Sequence, residues 1–227
     1  MDCFKSTGTD VSEMRYPGKF QDVQVKGKIE VNIFQGSEYK VEVIAGRHLI
    51  KNINTTVTDT LLKIENSTSC NFVRGYKRKI IVNVTMPYVS KIYNYSVSSI
   101  TMDPGFNQDS LLYVRNENIG DTYINGKFNI VSTSSHGAGD IYLSGSSRTL
   151  LIYSNGTNFT FAENFKASDQ VFISTYSIGD AHLNLQGVAS FDYYIWSKGN
   201  IFYSGDPLAI NNLGAGKTNG KGTLIKN

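Results

Sequence analysis

Apolar and polar residues alternate through almost the whole chain, and helical periodicity is nearly absent. Ile29-Glu30-Val31-Asn32-Ile33 and Tyr39-Lys40-Val41-Glu42-Val43 each place apolar side chains on one face and polar ones on the other, as half-buried strands do. Ile80 to Val84 reads as a further strand, and Gly36-Ser37, Gly46 and Asn66-Ser67 punctuate the runs. Residues 1–19 lack the alternation and read as a loose N-terminal arm, which leaves 20–227 as one domain.

From Tyr95 onward a longer period is superimposed. Tyr95-Ser96-Val97-Ser98, Tyr153-Ser154-Asn155-Gly156, Tyr176-Ser177-Ile178-Gly179 and Trp196-Ser197-Lys198-Gly199 are variants of one turn. Glu117-Asn118-Ile119-Gly120 and His136-Gly137-Ala138-Gly139 are looser copies. The units end 17 to 23 residues apart, a period near 20 that marks a solenoid of stacked coils. Six residues before each end stand Ile92, Val114, Thr133, Leu150, Ile173 and Tyr193; two after stand Ile100, Thr122, Ile141, Asn158, Ala181 and Ile201; four after stand Met102, Ile124, Leu143, Thr160, Leu183 and Tyr203. These columns predict inward-facing positions of parallel strands enclosing one core, with coils of about 20 residues. Residues two before each end are small and polar and mark a tight turn. A second turn in each coil often ends in Gly, at Gly126, Gly145, Gly187 and Gly205.

The run Asn211 to Thr218, NNLGAGKT, ends in Gly-Lys-Thr as a phosphate-binding P-loop does. The P-loop needs Gly at the position Asn211 holds, and a helix afterwards whose N-terminus meets the phosphate. Only Asn219 to Asn227 follow, with two more glycines. Counting on from Gly199 instead makes Leu213-Gly214-Ala215-Gly216 the next copy of the turn, with Ile210 in the apolar column. No nucleotide site is expected.

The run Phe20-x-x-Val23-x-Val25-x-Gly27-x-Ile29-x-Val31-x-Ile33-x-Gln35-Gly36-x-x-Tyr39-x-Val41 resembles the putative auto-transporter adhesin, head-GIN-domain family. So do Thr85-Met86-Pro87 after a strand, and the units Gly139-Asp140-Ile141-Tyr142-Leu143-Ser144-Gly145 and Gly199-Asn200-Ile201-Phe202-Tyr203-Ser204-Gly205. The resemblance covers about Phe20 to Lys226. It implies a right-handed parallel β-helix and a bacterial protein exported to the cell envelope, often as a lipoprotein, and it supplies no catalytic residues. Relative to the family's Gly-Ser-Gly units, the turns here are poorer in Gly.

Composition narrows the function classes. Charged residues are 18 %, aromatics 12 % with 14 Tyr, and Gly 21 stands against Pro 4, in keeping with β-structure and many turns. A formal net charge of +3 is too small to argue for nucleic acid. No apolar run approaches the roughly 20 residues of a membrane helix, and no signal peptide is read from Met1-Asp2-Cys3-Phe4. Cys3 and Cys70 make no disulfide framework and no metal site. Membrane contact is expected only through a lipid anchor at Cys3, for which Met1 and Asp2 do not supply the small and apolar residues required. Arg74-Gly75-Tyr76-Lys77-Arg78-Lys79 reads as a solvated hairpin tip.

Asp121, Asp140 and Asp180 follow turn glycines, with Thr157 and Asn200 in the same place on other coils. They read as turn caps that bond nearby backbone N–H groups, without catalytic or calcium roles. His48, His136 and His182 lack ligand partners at useful spacing, so neither metal nor cofactor is expected. Three residues after the turn ends stand Thr101, Tyr123, Tyr142, Phe159, His182 and Phe202, opposite in parity to the inward columns and therefore outward. A second aromatic column precedes the turns, at Tyr95, His136, Tyr153, Tyr176 and Trp196. Flat rings at coil spacing suit a sugar face or a partner protein, and stacked rings also stabilise one another. The expectation is a non-enzymatic, adhesin-like envelope solenoid binding a cell-surface glycan or protein through Tyr123, Tyr142, His182 and Phe202. The rival is a polysaccharide lyase or hydrolase built on a β-helix, which requires converging carboxylates.

Overall fold

The computed structural model of the chain describes residues 7–67, 79–216 and 220–227. Cys3, Cys70, the basic residues Arg74, Lys77 and Arg78, and Lys217-Thr218 lie outside those residues. Among the described residues the one helical element is a 3-10 turn at Ile50–Asn52. The strands are β1 (Asp10–Arg15), β2 (Asp22–Gly27), β3 (Glu30–Gln35), β4 (Lys40–Gly46), β5 (Ile53–Thr58), β6 (Leu61–Asn66), β7 (Ile81–Met86), β8 (Lys91–Ser96) and β9 (Ile100–Met102). They continue as β10 (Leu111–Asn116), β11 (Thr122–Ser135), β12 (Ile141–Gly156), β13 (Thr160–Ser177), β14 (Ala181–Asn184), β15 (Ser190–Ile195), β16 (Ile201–Ser204), β17 (Ile210–Asn212) and β18 (Leu224–Lys226).

These strands stack as a parallel β-solenoid. One wall runs β6, β2, β8, β10, β11, β12, β13, β15, β17, every neighbour parallel. The facing wall runs β7, β3, β9, β11, β12, β13, β14, β16, β18. β11, β12 and β13 are long enough to bend from one wall to the next, β11 and β12 at Gly126 and Gly145, whose φ values of 148° and 101° suit glycine. Inward columns are apolar because each rung buries them between its neighbours. Leu62, Val23, Ile92, Val114, Thr133, Ile152 and Ile173 lie in register on the first wall, all buried. Val82, Val31, Ile100, Thr122, Ile141, Thr160, Ala181 and Ile201 do so on the second.

Coil order departs from chain order at the N-terminal end. The coil made by β6 and β7 follows the β2–β3 coil in sequence but stacks on its far side, so β2 and β3 lie between it and β8–β9. The end is then closed by antiparallel strands: β5 on β6, β4 on β7, and β1 on β4. Residues 10–15, read from the sequence as part of a loose arm, are therefore a paired strand. Arg15 fastens it by donating to the carbonyls of Ile53 (2.5 Å) and Ile50 (3.2 Å).

Two registers differ from the periodic reading. Ile152, not Leu150, pairs with both Thr133 and Ile173, and Thr160, not Asn158, pairs with Ile141 and Ala181. The turn of that coil ends at Asn158 rather than Gly156, a slip of two residues. Because side chains alternate with period two, the slip preserves inward and outward faces, and Leu150 stays buried beside Val171. The second difference is at the C-terminal end. Gly222, not Gly216, lies over Gly199, and Leu224 pairs with Ile201, so the Leu213–Gly216 run belongs to a longer loop that precedes the true turn. Ile210, expected in the apolar column, pairs with Phe191 and is 42 % exposed on the last rung.

Turn glycines are set by packing of backbone on backbone. A Cβ on Gly120, Gly139, Gly179, Gly199 or Gly222 would sit 2.0–2.3 Å from a carbonyl oxygen of the adjacent coil. Buried amides and hydroxyls saturate the turn carbonyls. Asn94 Nδ2 donates to the Gly120 carbonyl (3.1 Å) and Thr122 Oγ1 (3.0 Å), and Asn116 Nδ2 to the carbonyls of Gly120 (3.0 Å) and Gly139 (3.1 Å).

Candidate functional site

The outward column of the second wall has two chemically distinct halves. In register it reads Glu42, Asn83, Asn32, Thr101, Tyr123, Tyr142, Phe161, His182, Phe202, Ile225. The first half is a polar ladder. Ser12 Oγ donates to Glu42 Oε1 (2.7 Å), Asn83 Nδ2 to Glu42 Oε2 (2.9 Å), and Asn32 Nδ2 to Asn83 Oδ1 (2.9 Å).

The second half is a ladder of rings. Tyr123 and Tyr142 stack at 4.6 Å and 10°, Tyr142 and Phe161 at 4.8 Å and 15°, Phe161 and His182 at 5.4 Å and 13°, His182 and Phe202 at 5.0 Å and 11°. Parallel rungs bring consecutive side chains to about the strand spacing of 4.8 Å, which is also a comfortable ring–ring separation. The structure thus brings together Tyr123, Tyr142, His182 and Phe202, and inserts Phe161 where the periodic reading places Phe159. Phe159 lies beside it, its ring 6.0 Å from that of Phe161. The periodic pattern leaves Phe161 out of the column because it counts that unit to Gly156. Counting to Asn158 makes the spacing more even and puts Phe161 in the column.

A groove of about 330 Å3 runs along this ladder. Tyr123, Tyr142 and Phe161 form one side, Asn125, Ser144 and Asn164 lie on the same strands two or three residues on, and Thr101, Met102 and Pro104 close one end. Its lining includes Glu163 and no lysine or arginine. Glu163 Oε1 is 3.8 Å from His182 Nδ1. Tyr123 Oη lies 3.5 Å from Asp121 Oδ2. Burial, reinforced by Asp121, pushes the Tyr123 phenol up, and burial with Asp140 does the same for Tyr142.

The acidic column at the turn is an inter-coil ladder. The Asp140 N–H donates to Asp121 Oδ1 (2.9 Å), Phe159 N–H to Asp140 Oδ1 (2.7 Å), Asn200 N–H to Asp180 Oδ1 (2.7 Å) and Thr223 N–H to Asn200 Oδ1 (3.0 Å). These side chains cap the backbone of the following coil, not their own turn, and Phe159 rather than Thr157 takes the place between Asp140 and Asp180. Burial raises the Asp140 carboxyl above its ordinary range, the Phe159 N–H opposes that, and the neighbouring Asp121 charge adds to it. Among the described residues no cluster of three or more His, Cys, Asp or Glu side chains is arranged to hold a metal ion.

The second aromatic column divides in two. His136, Tyr153, Tyr176 and Trp196 are linked ring to ring, at 5.3 Å, 5.7 Å and 5.3 Å. Tyr153 stands one column across from the others, in register with Ser134 and Ser174. Tyr95 meets Tyr93 instead, at 6.5 Å.

No functionally curated protein matches the chain. Solved structures match it over nearly its whole length. A putative adhesin from Bacteroides fragilis is 19 % identical, with 98 % of this chain and 100 % of that one covered at a TM-score of 0.84. A putative adhesin from Parabacteroides merdae is 18 % identical, with 97 % of each covered at 0.61. A structure described as a putative lipid binding protein from Parabacteroides distasonis is 14 % identical, with 97 % of each covered at 0.65. At these identities the likeness speaks for the fold alone. The family model for the putative auto-transporter adhesin, head GIN domain, matches residues 19–207, and the chain belongs to that family.

Proposed function

We propose that the protein is a non-enzymatic, adhesin-like binding protein of the bacterial cell envelope, which holds an extended glycan along the ring ladder of the second wall. The observation that carries this is the groove itself, with stacked rings on one side and Asn125, Ser144 and Asn164 close by. Ring edges and apolar walls suit sugar C–H groups, and amides and hydroxyls suit sugar hydroxyls. A repeated surface fits a repeated ligand, so affinity accumulates along rungs rather than at one point. The family and the similar adhesins support a surface role, and none of the described helical segments is long and apolar enough to cross a membrane. The similar structure described as lipid binding raises an acyl chain as the rival occupant. The polar column of Asn125, Ser144 and Asn164 beside the rings favours sugar.

A printed oligosaccharide array followed by titration of the best hit tests this. The double variant Tyr123→Ser, Tyr142→Ser keeps the buried Ile124, Ile141 and Leu143, so it should fold and lose binding. An array without hits, or equal binding by the double variant, would refute the proposal.

A further inference from the structure

Stacking leaves the ladder's rings with very unequal free surface. Tyr142, Phe161 and His182 each have a ring on both sides, with centroids 4.6–5.4 Å apart and planes within 15°. No sugar ring fits between them. Phe202 has His182 on one side and is paired on the next rung with Ile225. Tyr123 is different. Its partner on the preceding rung is Thr101, which has no ring to cover it. Tyr123 is 37 % exposed, and the groove reaches Thr101 and Pro104 at that end.

The geometry points to a single-sugar subsite on the uncovered face of Tyr123, where one neutral pyranose takes the place of the ring that Thr101 does not supply. This deepens the glycan reading above and rests on it. The subsite lies where the column changes from aromatic to polar. A pyranose stacked on Tyr123 at about the 4.8 Å rung spacing lies over Thr101 and one further rung from Asn32. Among the described residues Asn32 donates one amide N–H to Asn83 Oδ1, and its own Oδ1 accepts no hydrogen bond. Asn32 and Thr101 thus offer an acceptor and a hydroxyl to the sugar's edge, while Tyr123 offers an apolar plane to its C–H face. Charge selects the sugar class. Asp121 is 3.5 Å from the Tyr123 hydroxyl, Glu163 is in the groove, and no cation lines it, which disfavours uronic or sulfated sugars.

The test is to supply the absent ring. Thr101 is an exposed strand residue, so Thr101→Tyr should extend the ladder, keep or raise the melting temperature, and fill the subsite. Wild type, Thr101→Tyr and Tyr123→Leu are titrated with the best hit from an array of neutral and acidic oligosaccharides. Both variants are expected to lose at least tenfold in affinity. If wild type binds and Thr101→Tyr binds within twofold of it, the subsite is overturned and the groove reading stands. Should Thr101→Tyr fail to fold, Tyr123→Leu decides, since it keeps apolar bulk but removes the flat face; retained affinity overturns the subsite. A preference for acidic sugars overturns the neutral class. A wild-type protein that binds nothing on the array overturns the subsite and the glycan reading together.

Discussion

Asp140 shows how one side chain serves a neighbouring coil at some electrostatic expense. Its Oδ1 accepts the Phe159 N–H at 2.7 Å, while burial and Asp121 hold its carboxyl above the ordinary range. A carboxyl raised on folding favours the native state when protonated. That stability is fully present below the unfolded value and is lost as pH rises through the folded one. Asn keeps the acceptor and removes the charge. Asp140→Asn should therefore melt above wild type at pH 7, with the difference shrinking as pH falls through the raised value of the folded carboxyl and levelling off below its ordinary unfolded value. Melting curves from pH 3 to 8 would show this, and a variant less stable at pH 7 than at pH 3, relative to wild type, would contradict it. Glycines separate two physical causes in the same way. A Cβ at Gly139 meets the Gly120 carbonyl oxygen at 2.3 Å, whereas Gly187, with φ of 77°, has open space around its Cβ. Gly139→Ala should cost about 3 kcal/mol or more through overpacking, and Gly187→Ala about 1 kcal/mol through backbone strain alone. Urea titrations with unchanged m-values measure both.

Rings and columns behave as elements whose value depends on position within the stack. Each stacked aromatic pair contributes about 0.5–1.5 kcal/mol beyond its buried area. Phe161 joins Tyr142 to His182 and also stacks on Phe159, so Phe161→Ser removes three such pairs, while Tyr123→Ser removes one. The interior variant should lose about 1.5–4.5 kcal/mol and the terminal one about a third of that. Equal losses would mean the rings act separately. Inward columns are less forgiving. Ile173 is fully buried between Ile152 and Tyr193, and Ile173→Asp places an unpaired charge there at a cost of several kcal/mol. Loss of the folded state by circular dichroism is the expected result. A folded variant of unchanged melting temperature would rule out the column. Alternation made both columns legible from the sequence, but not the rung-to-rung pairing. The Tyr153 unit alone allows an end at Gly156 or at Asn158, both keep the same residues inside, and only neighbouring coils distinguish them.

At the scale of the whole molecule, the ends of the stack differ. The N-terminal end is covered by antiparallel β1, β4 and β5, which blunts an edge that would otherwise recruit strands from other chains. Deleting residues 1–19 bares the edge of β4. The truncated protein should melt lower and associate with rising concentration, as light scattering would report; a monomer of unchanged stability would show that β1 is dispensable. Sequence alone determined that this is an all-β stack with a defined inside, because period-two alternation and burial fix the face of most strand residues wherever their strand is placed. It also determined the sites of most turns, because backbone packed on backbone admits glycine and little else. Tertiary structure alone decided that β6 and β7 stack behind β2 and β3, that Phe161 completes the ring ladder, and that Gly222 closes the last turn. Those are questions of which strand lies beside which. Backbone hydrogen bonds between parallel strands are the same for every residue, so adjacency is settled only when whole coils compete to bury their columns against one another.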